Sequence, residues 1–465
     1  MNISTPLAVV VLAAGQGTRM KSARAKVLHE LAGRPLLGHV LAAVAPLGPA
    51  RTVVVVGHQA DAVRAVAAGP GLSFALQAEQ RGTGDAVRVA RDAALRDFEG
   101  DVLILYGDVP LLETATLRGL LDAHHATSAV LSLLVTAVED PTGYGRIVRD
   151  TAGGLLRIVE QKDADAPTRA LREVNPGIYC IDAAFLAAAL DRLQPNNAQG
   201  ELYLTDVVAQ AVASGRPVTS QPVAPDEVVG VNSRADLAAL EAVVRGRTVA
   251  RHLAAGVSFL DPATAHIDAE VEIGADTIVG PWVQLRGRTR IGRDCRLHGN
   301  VFIADSEIAD GTEIKPFVVI SESRIAASCT LGPFAQLRPG ADLGRGVHVG
   351  NFVEIKKSIL GEGTKANHLA YLGDATIGSA VNIGAGTITC NYDGFAKHRT
   401  VIGDRVQIGS DSQLVAPVTV GDDAYVATGT TLRHDVEPGA LAFNPKPDQR
   451  RAGWVEAFRQ RRRVP

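Results

Sequence analysis

The stretch "LAAGQGTRM", residues 12–20, follows the apolar run "LAVVV" and sets Gly15 and Gly17 in a turn just ahead of Arg19 and Lys26. Backbone N–H groups in a Gly-rich turn at a strand end can face phosphate oxygens, and two basic side chains add charge of the right sign. Neither common phosphate signature is present. A P-loop ends in Gly-Lys-Ser/Thr, whereas Gly17 leads into Thr18-Arg19, and a dinucleotide fingerprint needs a third glycine where Met20 stands. A second reactive stretch is "YGDVP", with Tyr106, Gly107 and Asp108 closing another apolar run. A carboxylate there suits Mg²⁺, which takes oxygen ligands, although Asp is also a common turn former. The third is "GTKANHLAYLGDATIGSAVNIGAGTITCNYDG", which holds His368. Imidazole titrates near neutral pH and can take the proton of an attacking amine, although a surface-loop histidine needs no such role.

These residues need elements to position them. Up to about residue 230, apolar runs such as "LAVVVLA", "TVVVVGH", "DVLILYGD" and "AVLSLLVTAV" alternate with amphipathic stretches such as "DAVRAVAA" and "LETATLRGLLDAHH". That alternation predicts an α/β, Rossmann-like domain with a mostly parallel sheet covered on both faces, over residues 1–232. Ligands of such sheets bind beyond the carboxyl ends of the strands, where "LAAGQGTRM" and "YGDVP" fall. Residues 233–256 read as a helical connector, with Ser233 as N-cap and Gly256 as stop.

From residue 257 to 465 the rhythm changes. Aliphatic residues recur every six positions, from Ile267, Ile273, Val279, Leu285, Ile291, Leu297 and Ile303 onwards. The period resumes after a five-residue step at Ile308 and another at Ile325, and again from Ile402 to Leu432. A helix repeats at three and four and a half-buried strand at two; a period of six means one inward side chain per short strand. Stacked coils of that kind form a parallel β-helix. Breaks in the rhythm, such as the one around His368, mark places where loops leave the column.

Composition restricts the function classes. The 465 residues are 46% hydrophobic and 21% charged, with a net charge of −3, so no global field attracts nucleic acid or an anionic membrane. No apolar run is long enough for a membrane span. Cys180, Cys295, Cys329 and Cys390 form no C-x-x-C pair, which fits reduced thiols and a cytoplasmic protein. The basic tail, Arg450, Arg451, Arg459, Arg461, Arg462 and Arg463, reads as a solvated end.

"LAAGQGTRMKSARAKVL", "YGDVPLL", "QRGTGDAV", "GYGRIVRD", "IVEQKDA", "EVNPGIY" and "GVNSR" follow in the order of the sugar-phosphate nucleotidyltransferases. The repeat half resembles the hexapeptide-repeat acyltransferases, whose β-helices are left-handed and commonly trimerise. From about residue 7 to 450 the chain thus resembles bacterial bifunctional enzymes that acetylate glucosamine-1-phosphate and uridylylate N-acetylglucosamine-1-phosphate. The resemblance implies acetyl-CoA and UTP as co-substrates, Mg²⁺ as cofactor, and a homotrimer assembled through the β-helix.

By the same resemblance, Asp108 and Asn232 hold the metal, and Arg19 and Lys26 neutralise phosphate charge. Leu12, Ala13, Ala14 and Gly15 present backbone to the nucleotide, with Tyr106 and Gly107 beside them. Gln77, Gly82 and Thr83 read the uracil edge, and Gly145, Glu160 and Asn175 hold the sugar. In the repeat half, His368 is the base, and Arg338, Lys356, Tyr371 and Asn382 bind the amino-sugar phosphate. Ala385, Asn391, Tyr392, Ser410 and Thr428 line the acetyl-CoA side. Two departures from the family pattern stand out. Gln16 replaces a basic residue, and Pro445, with Lys446 beside it, replaces an arginine that grips coenzyme A. A zinc site of His348, His368 and His398 is disfavoured by their uneven spacing. Two rival readings remain at this point: a single-activity nucleotidyltransferase with a scaffolding prism, and a non-enzymatic sugar-nucleotide sensor.

Overall fold

Leu7–Leu12 is buried along its whole length and pairs in parallel with Arg51–Val56 on one side and Asp101–Tyr106 on the other. Leu72–Leu76 extends the first edge, again in parallel. Strand side chains alternate between faces, and here each face has its own core. Leu7, Val9 and Val11 pack in one apolar cluster with the helices Leu36–Val44, Ala60–Ala67 and Thr114–Ala126. Ala8, Val10 and Leu12 pack in the other with Thr83–Ala90, Ala183–Asp191 and Asp206–Ala213. Double coverage explains why the strand is apolar at every position.

The computed structural model describes residues 5–67, 69, 71–445 and 448–462. Lys446 and Arg463, singled out above, lie outside the described residues. The chain divides into two compact units, one ending at Val244 and the other beginning at Arg245, a point inside the 21-residue helix Arg234–Ala254.

The expected parallel pairing holds for the first four strands and for Val218–Pro222, which runs parallel to Leu131–Ala137. The remainder makes the sheet mixed: Tyr179–Asp182 runs antiparallel to both Asp101–Tyr106 and Leu131–Ala137. Beyond it, Glu173–Asn175, Gly145–Arg149 and Leu155–Val159 continue antiparallel. For the last pair, Gly145–Arg149 with Leu155–Val159, the reason is local. Asp150 accepts hydrogen bonds from the backbone N–H groups of Ala152 and Gly154, closing a tight hairpin that only antiparallel strands can share.

The second unit stacks its strands in three parallel sheets of 11, 10 and 9. Every aliphatic residue of the six-residue series named above is buried, and all lie in one continuous core cluster. The register shows why. Val279, Leu297, Ile314, Leu331, Val349, Ala366, Ile383, Ile408 and Val426 are ladder partners on successive coils. Aliphatic side chains therefore stack directly on their equivalents one coil away. The coil between Ile383 and Ile408 is longer than its neighbours, and its excess forms the excursion around Asn391–Arg399.

Candidate functional site

The chain leaves Leu12 for the strand on one side and returns through Tyr106 on the other, so the carboxyl ends of these paired strands flank a point where the strand order reverses. A cavity of about 400 Å³ opens there. It is lined by Leu12, Ala13, Ala14, Gly15, Lys26, Gln77, Gly82, Thr83, Tyr106, Asp108 and Asn232, all expected from the sequence, together with Gln80 and Glu201. A second cavity, of about 280 Å³, shares Tyr106, Asp108 and Asn232 with the first and adds Arg19, Tyr144, Gly145, Glu160 and Asn175. The expected nucleotide and sugar residues thus fall in two adjoining hollows. Arg19 lines the second cavity, and Gly107 lines neither. Gly107 is buried, its N–H bonded to the Leu12 carbonyl at 2.9 Å, so its part is to join the two strand ends.

Where the cavities meet, the Lys26 ammonium bonds to the Asp108 carboxylate and lies 3.3 Å from the Asn232 amide oxygen. That oxygen also accepts from Arg19 at 2.9 Å. Gly17 makes this possible: it sits at φ +63°, and a Cβ there would come within 2.6 Å of the Lys26 stem. Gln77 spends its NH₂ group on the Gly82 carbonyl and on Asp85, at 3.1 and 3.0 Å, which fixes the side chain and leaves its oxygen free to accept among the described residues. Gln80 bonds to the Ala14 carbonyl at 2.7 Å and ties the turn to the next loop. In the second cavity, Gly145 and Asn175 are direct ladder partners. Burial pushes the Glu160 carboxyl up, while a hydrogen bond from Thr205 at 3.2 Å opposes that shift.

In the second unit the ladder places the expected residues in two groups. Asn351 pairs with His368, and extending the register two residues beyond Ala366, Ile383, Ile408 and Val426 puts His368, Ala385, Ser410 and Thr428 in one column. His368 is exposed, and its Nδ1 lies 3.1 Å from the Asn351 amide oxygen. The other group is polar: Arg338 bonds Glu354 at 2.8 Å, and Asn391 bonds Asp374 at 2.5 Å and reaches the Tyr371 hydroxyl at 3.5 Å. Lys397 lies against Lys356 and lowers its pKa, with a smaller contribution from Arg338. Asn382 sits on the coil after His368, between Lys365 and Gln407 in the ladder. Tyr392 projects from the excursion, its hydroxyl bonded to the Gly394 carbonyl at 2.6 Å. His398 pairs with Asp393 at 2.7 Å, while His368 pairs with Asn351.

Residues 9–253 match the MobA-like NTP transferase domain family, and residues 270–305 and 399–434 match the bacterial transferase hexapeptide family. The chain is 52% identical over 450 residues to the bifunctional protein GlmU of Trichlorobacter lovleyi, covering 96% of this chain and 97% of that one. It is 53% identical over 455 residues to GlmU of an Anaeromyxobacter species, covering 97% and 93%, and 50% identical over 450 to GlmU of Pelobacter propionicus, covering 96% and 98%. The chain belongs to the bifunctional GlmU family. As a GlmU-family chain it is a bifunctional transferase: a uridylyltransferase using UTP, joined to an acetyltransferase using acetyl-CoA on a left-handed β-helix of hexapeptide repeats.

Against that family background, the structure adds residues the sequence reading missed. Gln80 and Glu201 line the first cavity, and Tyr144 lines the second. Glu354 and Lys397 join the polar group of the second unit. Gln80 could have been found, since it lies beside "RGTG"; Lys397 sits in an excursion with no periodic signal.

Proposed function

We propose that the two cavities of the first unit join UTP to N-acetylglucosamine-1-phosphate, and that the His368 column of the second unit supplies this substrate by acetylating glucosamine-1-phosphate. One observation carries the proposal. The nucleotide hollow and the sugar hollow share Asp108 and Asn232, so an α-phosphorus and an attacking phosphate oxygen have one meeting point.

The Asp108 and Asn232 oxygens already converge on a cation, the Lys26 ammonium, so this donor set fits a hard metal ion such as Mg²⁺. Bound there, Mg²⁺ would supply charge neutralisation to the phosphates. Lys26 and Arg19 neutralise the same charge from the protein side, and Leu12–Gly15 cover the nucleotide with backbone. The free oxygen of Gln77 suits the N3–H donor of uracil. Gly145, Glu160 and Asn175 hold the sugar against the shared point, and this positioning is the larger part of phosphoryl-transfer catalysis.

In the second unit, His368 takes the proton from the sugar amine as it attacks the thioester, with Asn351 orienting the ring. Arg338, Lys356, Tyr371 and Asn382 bind the sugar phosphate, with Lys397 as added charge. Ala385, Asn391, Tyr392, Ser410 and Thr428 line the acetyl-CoA side. Acetylation precedes uridylylation. The exposure of His368 and Tyr392 favours a homotrimer in which neighbouring prisms close the site. An exposed ridge on the same corner agrees: Phe317, Phe334 and Phe352 stack at 4.9 and 5.4 Å, and Leu369 follows in line. Four free cysteines fit a cytoplasmic setting, and among the described residues no helix is long and apolar enough to cross a membrane.

The test is a pair of assays on the intact chain. Pyrophosphate release from UTP and N-acetylglucosamine-1-phosphate is expected to need Mg²⁺ and Lys26, and coenzyme A release from acetyl-CoA and glucosamine-1-phosphate to need neither. A Lys26→Ala chain with full uridylyl transfer would overturn the first assignment.

A further inference from the structure

Arg146 is 1% exposed, among the largest fully buried side chains of the protein. Its three hydrogen-bond partners are all uncharged. Nη1 donates to the Tyr144 carbonyl, Nη2 to the Gln161 amide oxygen at 2.5 Å, and Nε to the Arg169 carbonyl at 3.3 Å. Among the described residues no carboxylate forms an ion pair with it. A buried guanidinium without a counter-ion carries a large desolvation cost, and burial accordingly lowers the pKa of Arg146. A position that only needed filling would be better served by Met or Leu, so the charged fork must do something an apolar side chain cannot.

The register shows what that is. Gly145 is the ladder partner of Asn175, and Arg146 pairs with Val159, the residue before Glu160. Asn175, Gly145 and Glu160 therefore form a row across three adjacent strands, and all three line the second cavity. Arg146 follows Gly145 in the strand and so leaves from the opposite face. Its fork grips the carbonyl of the residue before Gly145 and the side chain of the residue after Glu160. The centre of the cavity-lining row, Gly145, and its Glu160 end are thereby held at fixed spacing, with the last residue of the short helix Ala166–Arg169 as anchor. A guanidinium reaches these acceptors from three separate nitrogens fixed in one plane, whereas an ammonium would have to serve all three from a single atom.

We propose that Arg146 is a positioning residue of the sugar subsite: it sets the spacing of Gly145 and Glu160 in the row they form with Asn175, and hence the affinity for the sugar phosphate without touching it. This rests on the reading of the second cavity as the sugar site. The nucleotide cavity shares none of the segments that Arg146 ties, so the two substrates should respond differently.

The test is steady-state kinetics of uridylyl transfer with the full-length Arg146→Lys, Gln161→Leu and Asn175→Ala proteins. Arg146→Lys is expected to raise KM for N-acetylglucosamine-1-phosphate about tenfold, with KM for UTP unchanged, because small misplacements of a binding row are costly. Gln161→Leu, which removes one acceptor and leaves the arginine, should shift the same KM in the same direction by less. A purely structural role would lower the unfolding temperature and leave both KM values of the folded enzyme alone. That result, or an equal rise in both, overturns the proposal. If Arg146→Lys does not fold, an unchanged sugar KM in Gln161→Leu overturns it instead. An unchanged sugar KM in Asn175→Ala overturns the sugar-site reading on which it depends.

Discussion

His368 stands at an exposed corner with one polar neighbour, Asn351 at 3.1 Å, and no carboxylate partner among the described residues. As the proposed base it would act through its position in the column with Ala385, Ser410 and Thr428. His368→Ala should cost acetyl transfer about 10²–10⁴-fold, the usual worth of a general base, and leave uridylyl transfer at its original rate. Parallel assays check this, and a joint fall would mean that the two sites are not independent. Asp108 gives the mirror case. Its carboxylate meets Lys26 and lies across from Asn232, so Asp108→Ala should abolish Mg²⁺-dependent pyrophosphate release and spare acetylation. At this scale the sequence was informative where charge follows an apolar run, as at Asp108, or a Gly-rich turn, as at Arg19. It was silent on Arg146, because nothing in "GYGRIVRD" marks that arginine as buried while Arg149 in the same strand pairs with Glu173 at 2.6 Å. Burial of a charge is decided by strands 10–30 residues away, and no local pattern carries it.

Among elements, the turn after the first strand is the most exacting. A Gly17→Ala chain would need a non-glycine residue at φ +63° and a methyl within 2.6 Å of the Lys26 stem. The protein should still fold, because the turn lies outside the core, but Lys26 should swing from Asp108 and uridylyl transfer should fall at least tenfold, with the acetyl assay as internal control. The helix Arg234–Ala254 offers a pH-dependent case. His252 is buried, its Nε2 has no hydrogen-bond partner among the described residues, and burial, aided by Arg251, pushes its pKa down to about 4 from 6.5. The unfolded chain therefore binds a proton that the folded chain refuses between those values. Stability is fully present above pH 6.5 and is lost as pH falls toward 4, by about 3 kcal/mol if His252 acted alone. Thermal unfolding of the wild type and of His252→Gln between pH 7 and 4.5 checks this: the substitution should flatten the slope. Elements were legible where periodicity is strict. The six-residue rhythm gave the ladder register of the prism almost residue by residue, because each coil buries one aliphatic side chain per strand. The front sheet was legible only in its parallel half, since short antiparallel strands such as Glu173–Asn175 are too brief to show a period.

On the scale of the whole molecule, both apolar clusters of the front sheet lie within the first unit, and the prism core lies within the second. Each unit buries its own core, which is what independent folding requires. The two cavities of the first unit are lined entirely by residues up to Asn232, so the proposed uridylyl site borrows no side chain from the repeats. A chain ending at Ala254, which keeps the connecting helix whole, should fold and retain uridylyl transfer with KM for UTP and for the sugar phosphate within about twofold of the intact enzyme, since no binding residue is removed. It should lose acetyl transfer altogether. If the ridge of Phe317, Phe334, Phe352 and Leu369 assembles the protein as proposed, the full chain should sediment as a trimer and the shortened chain as a monomer. Sedimentation velocity and the two assays on the same preparation decide between these expectations. A shortened chain that is folded by circular dichroism yet cannot join UTP to N-acetylglucosamine-1-phosphate would show that the prism supplies more to the front site than a place to stand.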